Sequence, residues 1–253
     1  MDFRASLAGL LVGTVAGMSG IGGSALLAPL LILVLGVEPV IAVGTDLVYS
    51  VPMKVIAATG HLRQGTVDRS VVRRLGAGGV PGALAGLAAF WLLRVRLGGT
   101  RLDQLERHAI GILILCAALA ALILMLTRHE RAPSTRRANA WLITAIGAFV
   151  GFLVAVTSIG SGSITLPLLL LALPAAGLRL LIGSEIVFGA LIVPIAALGH
   201  ISFATVDWHL AVALALGAVP GAVLGVWLCG FLSVGVLRPV VMCVLAYAGF
   251  KLL

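Results

Sequence analysis

Charged residues are scarce in this chain: Asp, Glu, Lys and Arg together make up 10% of its 253 residues, while 61% are hydrophobic. Water-soluble domains carry roughly 25% charged residues, so there is too little polar surface here to coat a soluble particle. Cysteine is almost missing. Cys116, Cys229 and Cys243 all fall inside apolar runs, with no CxxC and no Cys/His ligand spacing, which excludes a disulfide framework or a metal site and reads as small core residues. Aromatic residues amount to 6%. No P-loop, HExxH or glycine-rich nucleotide motif occurs, so ATP-driven transport, a resident cofactor and metal-assisted catalysis have no footing in the sequence. No cleavable signal peptide is expected either, because Met1–Arg4 is brief and no export-type cleavage site follows it.

What the chain has in quantity is apolar length and glycine. Mean hydropathy is +1.20, and 32 residues are glycine. Lipid is therefore the expected solvent. In hydrocarbon every backbone group must be satisfied internally, and the absence of period-2 alternation selects helices over a barrel. At about 20 residues per span, apolar segments fall near 5–35, 40–60, 72–93, 107–127, 140–173, 178–199, 208–231 and 234–252. The net charge of +8 does not point to nucleic acid. Its arginines cluster in the short connections, where the positive-inside rule places them.

The strongest signal is an internal repeat. Gly20-Ile21-Gly22-Gly23 and Pro29 recur as Ser158-Ile159-Gly160-Ser161 and Pro167. Val43-Gly44-Thr45-Asp46 recurs as Ile182-Gly183-Ser184-Glu185, Gly60-His61 as Gly199-His200, and Thr66-Val67-Asp68 as Thr205-Val206-Asp207. Val80-Pro81-Gly82-Ala83 recurs as Val219-Pro220-Gly221-Ala222. Five blocks at a nearly constant offset divide the chain into a first repeat (1–127), an Arg-rich linker (128–139) and a second repeat (140–253), with four hydrophobic segments in each repeat. Duplicated halves around a shared site are a common build of secondary transporters.

The first segment of each half is too long for one span and too short for two. Gly20, Gly22 and Gly23 interrupt residues 5–35, and Ser158–Ser163 interrupt residues 140–173. Each is expected to be a pair of partial helices, roughly 18–22 Å apiece at helical rise, meeting at a Gly/Ser turn within the membrane. Re-entrant first segments give inverted halves, whereas single broken spans give parallel halves. Segment length favours inversion. The Lys/Arg distribution does not separate the two, and both put the linker in the cytoplasm.

The turns are also where an anion would bind. A helix starting mid-membrane offers N–H groups and the positive end of its dipole, glycine admits close approach, and serine adds donors. The expected substrate contacts are Gly22, Gly23, Ser24, Ser161, Gly162 and Ser163, with Thr45 and Ser184 as side-chain donors. The alternative is that these small residues only let helices pack closely. Asp46 and Glu185 occupy matching positions about two turns into a span, where a carboxylate is costly unless it is paired or lines a wet path. They are candidates for proton coupling or gating, or else for locking helices together. Lys54 shares a helix face with Asp46 and Ser50 and has Val193 as its repeat mate. Either it attracts an anion or it snorkels to the interface. His61 and His200 end matching spans, as gates or as plain helix ends. Asp68 and Asp207 read as N-caps, Trp208 as an interfacial anchor, and Pro52 and Pro194 as kinks.

Gly17-Met18-Ser19-Gly20 forms a GxSG that an intramembrane serine protease would use. Its counterpart Ala155-Val156-Thr157-Ser158 lacks both glycines, so the duplication does not require a catalytic unit there, and no catalytic residue is assigned.

Ser19-Gly20-Ile21-Gly22-Gly23-Ser24 with Pro29, Ala42–Leu47, and Gly60–Asp68 resemble the sulfite exporter (TauE/SafE-type) membrane transporter family. So do Gly183-Ser184-Glu185, Gly199–Trp208 and Val219–Ala222. The resemblance spans nearly the whole chain. It implies a multi-pass protein of the bacterial inner membrane, with a small sulfur-containing anion such as sulfite, thiosulfate or a sulfonate as partner, and lipid and possible protons besides. Two positions depart from the usual family pattern: Ser161, where glycine is commoner, and Glu185, where a shorter side chain is commoner. The expectation is an all-α membrane transporter, not an enzyme, with a membrane scaffold or sensor as the alternative.

Overall fold

The computed structural model describes residues 3–19, 23–126, 139–229 and 234–253. Gly22 and residues 128–138 of the linker lie outside the described residues, as do the side chains of Ser19, Ser24 and Cys229. Among the described residues the chain is helical throughout, with no strand. The first half gives α1 (Phe3–Ser19), α2 (Ser24–Leu33), α3 (Pro39–Arg63), α4 (Arg69–Leu97) and α5 (Gly99–Leu126). The second gives α6 (Ala140–Thr157), α7 (Thr165–Ala172), α8 (Leu178–Ser202), α9 (Trp208–Cys229) and α10 (Val234–Leu252). Among the described residues four helices, α3, α4, α6 and α8, are long and apolar enough to cross a membrane.

Local chemistry sets the boundaries. Pro39 opens α3, where its missing N–H is no loss. Asp68 accepts from Ser70 N and Val71 N at the start of α4, and Asp207 accepts from Leu210 N at the start of α9. Both aspartates are therefore the N-caps their sequence positions suggest. Asn139 caps α6 through Trp141 N. The first segment of the second half is broken where glycine and serine cluster, between α6 and α7, and in the first half α2 begins at Ser24 directly after Gly23, while Gly20 and Ile21 lie outside the described residues. The second break is a tight reversal. Ser158 adopts a left-handed conformation (φ 60°), and Gly160 and Gly162 follow with φ 137° and 111°, values that side chains disfavour and glycine tolerates. Gly160 then lies against Val150, Leu153 and Val154, so the chain folds back along α6.

Helices pair across the halves more than within them. α1 packs on α9: Gly9 and Gly13 sit against the backbone of Leu214 and Ala218, while Gly217 and Gly221 sit against Ser6 and Leu10. The same arrangement joins α4 to α6, with Gly78, Gly82 and Gly86 against Thr144, Ala148 and Phe152, and Gly147 and Gly151 against Leu75 and Gly79. Residue numbers rise together in both pairs, so each pair runs parallel. α3 and α8 run antiparallel, because the end of α3 (His61) meets the start of α8 (Gly183), while Gly44 near the start of α3 meets Thr205 just beyond the end of α8. α5 and α10 are antiparallel as well, with Gly111 beside Gly249 and Leu252, and Leu115 beside Gly249. One apolar core runs through these elements, from Leu27 and Leu31 through Leu47, Val150, Phe188 and Ile192 to Leu214.

Two cysteines differ from their sequence reading. Cys116 and Cys243 are exposed on outward faces rather than packed in the core. In lipid, an outward apolar face is as suitable for a thiol as the interior, so hydropathy alone could not separate the two.

Candidate functional site

Asp46 is the eighth residue of α3 and Glu185 the eighth of α8, and both are buried. Asp46 reaches across to the second break, where Ser158 Oγ donates to its Oδ2 at 2.7 Å. The carboxylate of one half thus holds the left-handed residue that opens the turn of the other half. Lys54, two turns further along α3, reaches the same turn: its Nζ is 3.5 Å from the carbonyl oxygen of Ser161 and 3.9 Å from Glu185 Oε1.

The polar groups here are incompletely satisfied. Ser161 Oγ and Glu185 Oε1 are buried without a hydrogen-bond partner among the described residues, although buried polar atoms are nearly always paired. Lys54 has three N–H donors and only long contacts. The side chain of Lys54 is 14% exposed and that of Glu185 3%, so the cluster is almost closed to the outside. Gly189, one turn beyond Glu185, makes room for the lysine, since a Cβ there would stand 3.0 Å from Nζ and 3.2 Å from Cδ.

The structure therefore brings together Ser161, Lys54 and Glu185, with Asp46 bound to the same turn through Ser158. Gly162 and Ser163 belong to that turn, and Gly23 precedes α2 at the other break. The N–H groups of Ile164, Thr165 and Leu166, at the start of α7, donate to the carbonyls of Gly160 and Gly162. Donors to an anion are thus to be sought in the turn itself and not in the first turn of the helix.

Thr45 and Ser184 are placed elsewhere. Thr45 Oγ1 accepts from Asp207 N at 3.0 Å, and Ser184 Oγ accepts from Asp68 N at 2.9 Å while donating to Leu180 O. These matched bonds latch each half to the interhelical turn of the other, where Gly44 and Gly183 let the carbonyls of Thr205 and Thr66 approach. His61 and His200 support the same two turns. Their Nδ1 atoms lie 2.8 and 2.9 Å from Thr66 Oγ1 and Thr205 Oγ1, and His200 Nε2 additionally binds the carbonyl of Ala155. Arg94 donates to the carbonyl of Phe203 beside this turn.

Two features were not expected from the sequence. The sequence places Ser158 in the break and gives no sign of its bond to Asp46. Glu106 is 2% exposed, with neither carboxyl oxygen hydrogen-bonded among the described residues. A four-residue spacing places it in line with Leu102, Ile110 and Ile114, all buried, and that helical phase was the available signal. A cavity of about 520 Å³ between α1, α2 and α10 is lined by Leu11, Pro29, Leu30, Leu245 and Tyr247 among others. Its apolar walls suit an acyl chain or an apolar side chain and not a small anion.

The profile of the family described as Sulfite exporter TauE/SafE matches residues 5–252. The chain is 33% identical over 263 residues to a Bacillus subtilis (strain 168) protein named Probable membrane transporter protein YjnA, covering 100% of both chains. No solved structure matches it.

Proposed function

The chain belongs to the sulfite exporter TauE/SafE family of membrane transporters, and on that premise we propose that it is a secondary transporter of a small sulfur-containing anion in the bacterial inner membrane. Sulfite, thiosulfate and sulfonates are the substrate class in view. The observation that carries the reading is the buried meeting of Lys54, Glu185 and the Ser161 turn, which unites a cation, a titratable acid and an unpartnered hydroxyl where the first segment of the second half is broken. Lys54 supplies charge, Ser161 Oγ an oriented donor, and the glycine-built turn a backbone that an oxyanion can approach.

The near-closure of this cluster fits alternating access, in which a substrate reaches it only after the halves move. Antiparallel packing of α3 on α8 and of α5 on α10 supports inverted repeats, as does the reversal of the chain at Gly160. So does the exchange of latches, Thr45 to Asp207 and Ser184 to Asp68. In this reading the eight hydrophobic segments form two halves, 1–127 and 140–253, joined by a cytoplasmic linker at 128–139.

Purified protein in proteoliposomes is expected to carry at least one of sulfite, thiosulfate and methanesulfonate. Ser161→Ala should weaken its apparent affinity about tenfold, the loss of one hydrogen bond to a charged group at about 1.5 kcal/mol. Absence of protein-dependent flux for all three anions, with and without a pH gradient, would sink the reading.

A further inference from the structure

We propose that Lys54 exchanges Glu185 for the substrate, so that each anion enters the site together with a proton taken up by Glu185; this rests on the transport reading above.

The ion pair is built to be exchanged. A well-formed charge-assisted bond lies at about 2.7–2.9 Å, whereas Lys54 Nζ and Glu185 Oε1 stand 3.9 Å apart and that oxygen accepts no hydrogen bond from the described residues. Asp46, by contrast, is fixed by Ser158 Oγ at 2.7 Å. Of the two matched carboxylates, Glu185 is the one without a fixed donor. At this matched position lysine occurs in one half only. The residues matching Asp46, Ser50 and Lys54 in the second half are Glu185, Gly189 and Val193, and Gly189 leaves the space that the lysine stem crosses. Among the described residues the break therefore has one cation, and that cation faces Glu185.

The charge count then couples anion to proton. α8 packs against α3, α4, α6 and α7. From α3, Lys54 and Asp46 stand in its buried middle, and His61 meets the start of α8. α6 and α7 contain no ionisable residue, and the charges of α4 (Arg69, Arg73, Arg74, Arg94 and Arg96) are confined to its ends. On α8 itself the others are Arg179, paired with Gln64 at the outer edge, and His200, engaged with Thr205 and Ala155. With both carboxylates ionised, the middle thus holds one more negative than positive charge. Adding an anion to that low-dielectric site is strongly opposed. A proton from solvent on Glu185 removes one negative charge, frees the ammonium and turns the carboxyl into a donor. The anion then pairs with Lys54, with Ser161 Oγ and the Glu185 hydroxyl as further donors.

Proton uptake on binding, read with a pH indicator in weakly buffered detergent solution, tests this. Methanesulfonate and thiosulfate are the probes, because neither titrates near neutral pH as sulfite does. The expected result is about one proton taken up per methanesulfonate bound, with affinity falling up to about tenfold per unit rise in pH. Glu185→Gln should still bind it, with no proton uptake and a flat pH profile, while Lys54→Gln should lose binding. Binding by the unaltered protein with no proton uptake and no pH dependence would overturn the exchange and leave transport standing, as would undiminished binding by Lys54→Gln. Absence of both binding and flux would instead overturn the transport reading. The wild-type measurement decides the matter even if a variant fails to fold.

Discussion

Ala204 shows what a duplicated sequence preserves and what it lets drift. In the turn after α3, Gly65 has φ 66°; in the matching turn after α8, Ala204 has φ 52°. Both turns make the same bonds, Gly65 N to Leu62 O and Ala204 N to Ile201 O, then Thr66 N to His61 O and Thr205 N to His200 O. A left-handed conformation costs an L-residue about 1–2 kcal/mol, and the fold tolerates this because the latch at Thr205 and Asp207 fixes the turn. Ala204→Gly should therefore raise stability by about 1 kcal/mol, the relief of strain outweighing the greater freedom of glycine in the unfolded chain. An unchanged or lowered unfolding midpoint in detergent would contradict this. Pairing by repeat position made several such residues legible in advance, including Asp46 with Glu185 and the two aspartate caps. It did not reveal that the hydroxyls of Thr45 and Ser184 bind the opposite half, because sequence matching shows which residues are equivalent and not which ones touch. Glu106 stands among the charges of a connection, and only its helical phase with Leu102 and Ile110 marks it as buried.

Among the elements, glycine had two readings in the sequence, and the structure gives each its own place. Gly160 and Gly162 make the turn between α6 and α7. The glycines at four-residue intervals along α4 and α6 make the close contact, since a Cβ at Gly82 would stand 2.1 Å from Ala148 O and one at Gly151 2.2 Å from Gly79 O. Backbone atoms cannot move aside as a flexible side chain does, so Gly151→Val must push the helices apart. Overpacking of this kind costs about 1–3 kcal/mol or more, and the variant should show a lowered midpoint or a loss of monodisperse protein. Gly60 is the internal control. It lies in the last turns of α3 with nothing near its absent Cβ, and Gly60→Ala should stabilise by about 0.5–1 kcal/mol through helix propensity. Equal effects of the two substitutions would refute the division. The breaks themselves were legible because a Gly/Ser cluster halves an apolar run too long for one span. The partners of α1 and α6 were not, since the glycine pattern says that something approaches closely without saying what.

At the scale of the whole molecule, the pairings bear on a choice that the charge distribution leaves open. α1 lies on α9 and α6 on α4, each in parallel, while the equivalent helices α3 and α8 are antiparallel to one another, as are α5 and α10. A twofold axis lying in the membrane plane relates equivalent helices in this way; an axis along the membrane normal would leave α3 and α8 parallel. The turns after α3 and after α8 should then open on opposite sides of the membrane, although they are equivalent in sequence. Cysteines placed singly at Gln64 and Ser202, both exposed, in a background with Cys116, Cys229 and Cys243 replaced, should react with a membrane-impermeant maleimide from opposite faces of sealed cells or inverted vesicles. Labelling of both from the same face would mean parallel halves, and the first segments would then have to cross the membrane as single broken spans. Opposite labelling carries a consequence for the site. Its two breaks would enter from the two surfaces, and releasing either the latch at Asp68 or the latch at Asp207, both closed in this structure, would open one side at a time. Lys54, present in one half alone, would then stay with the anion while access to it alternates.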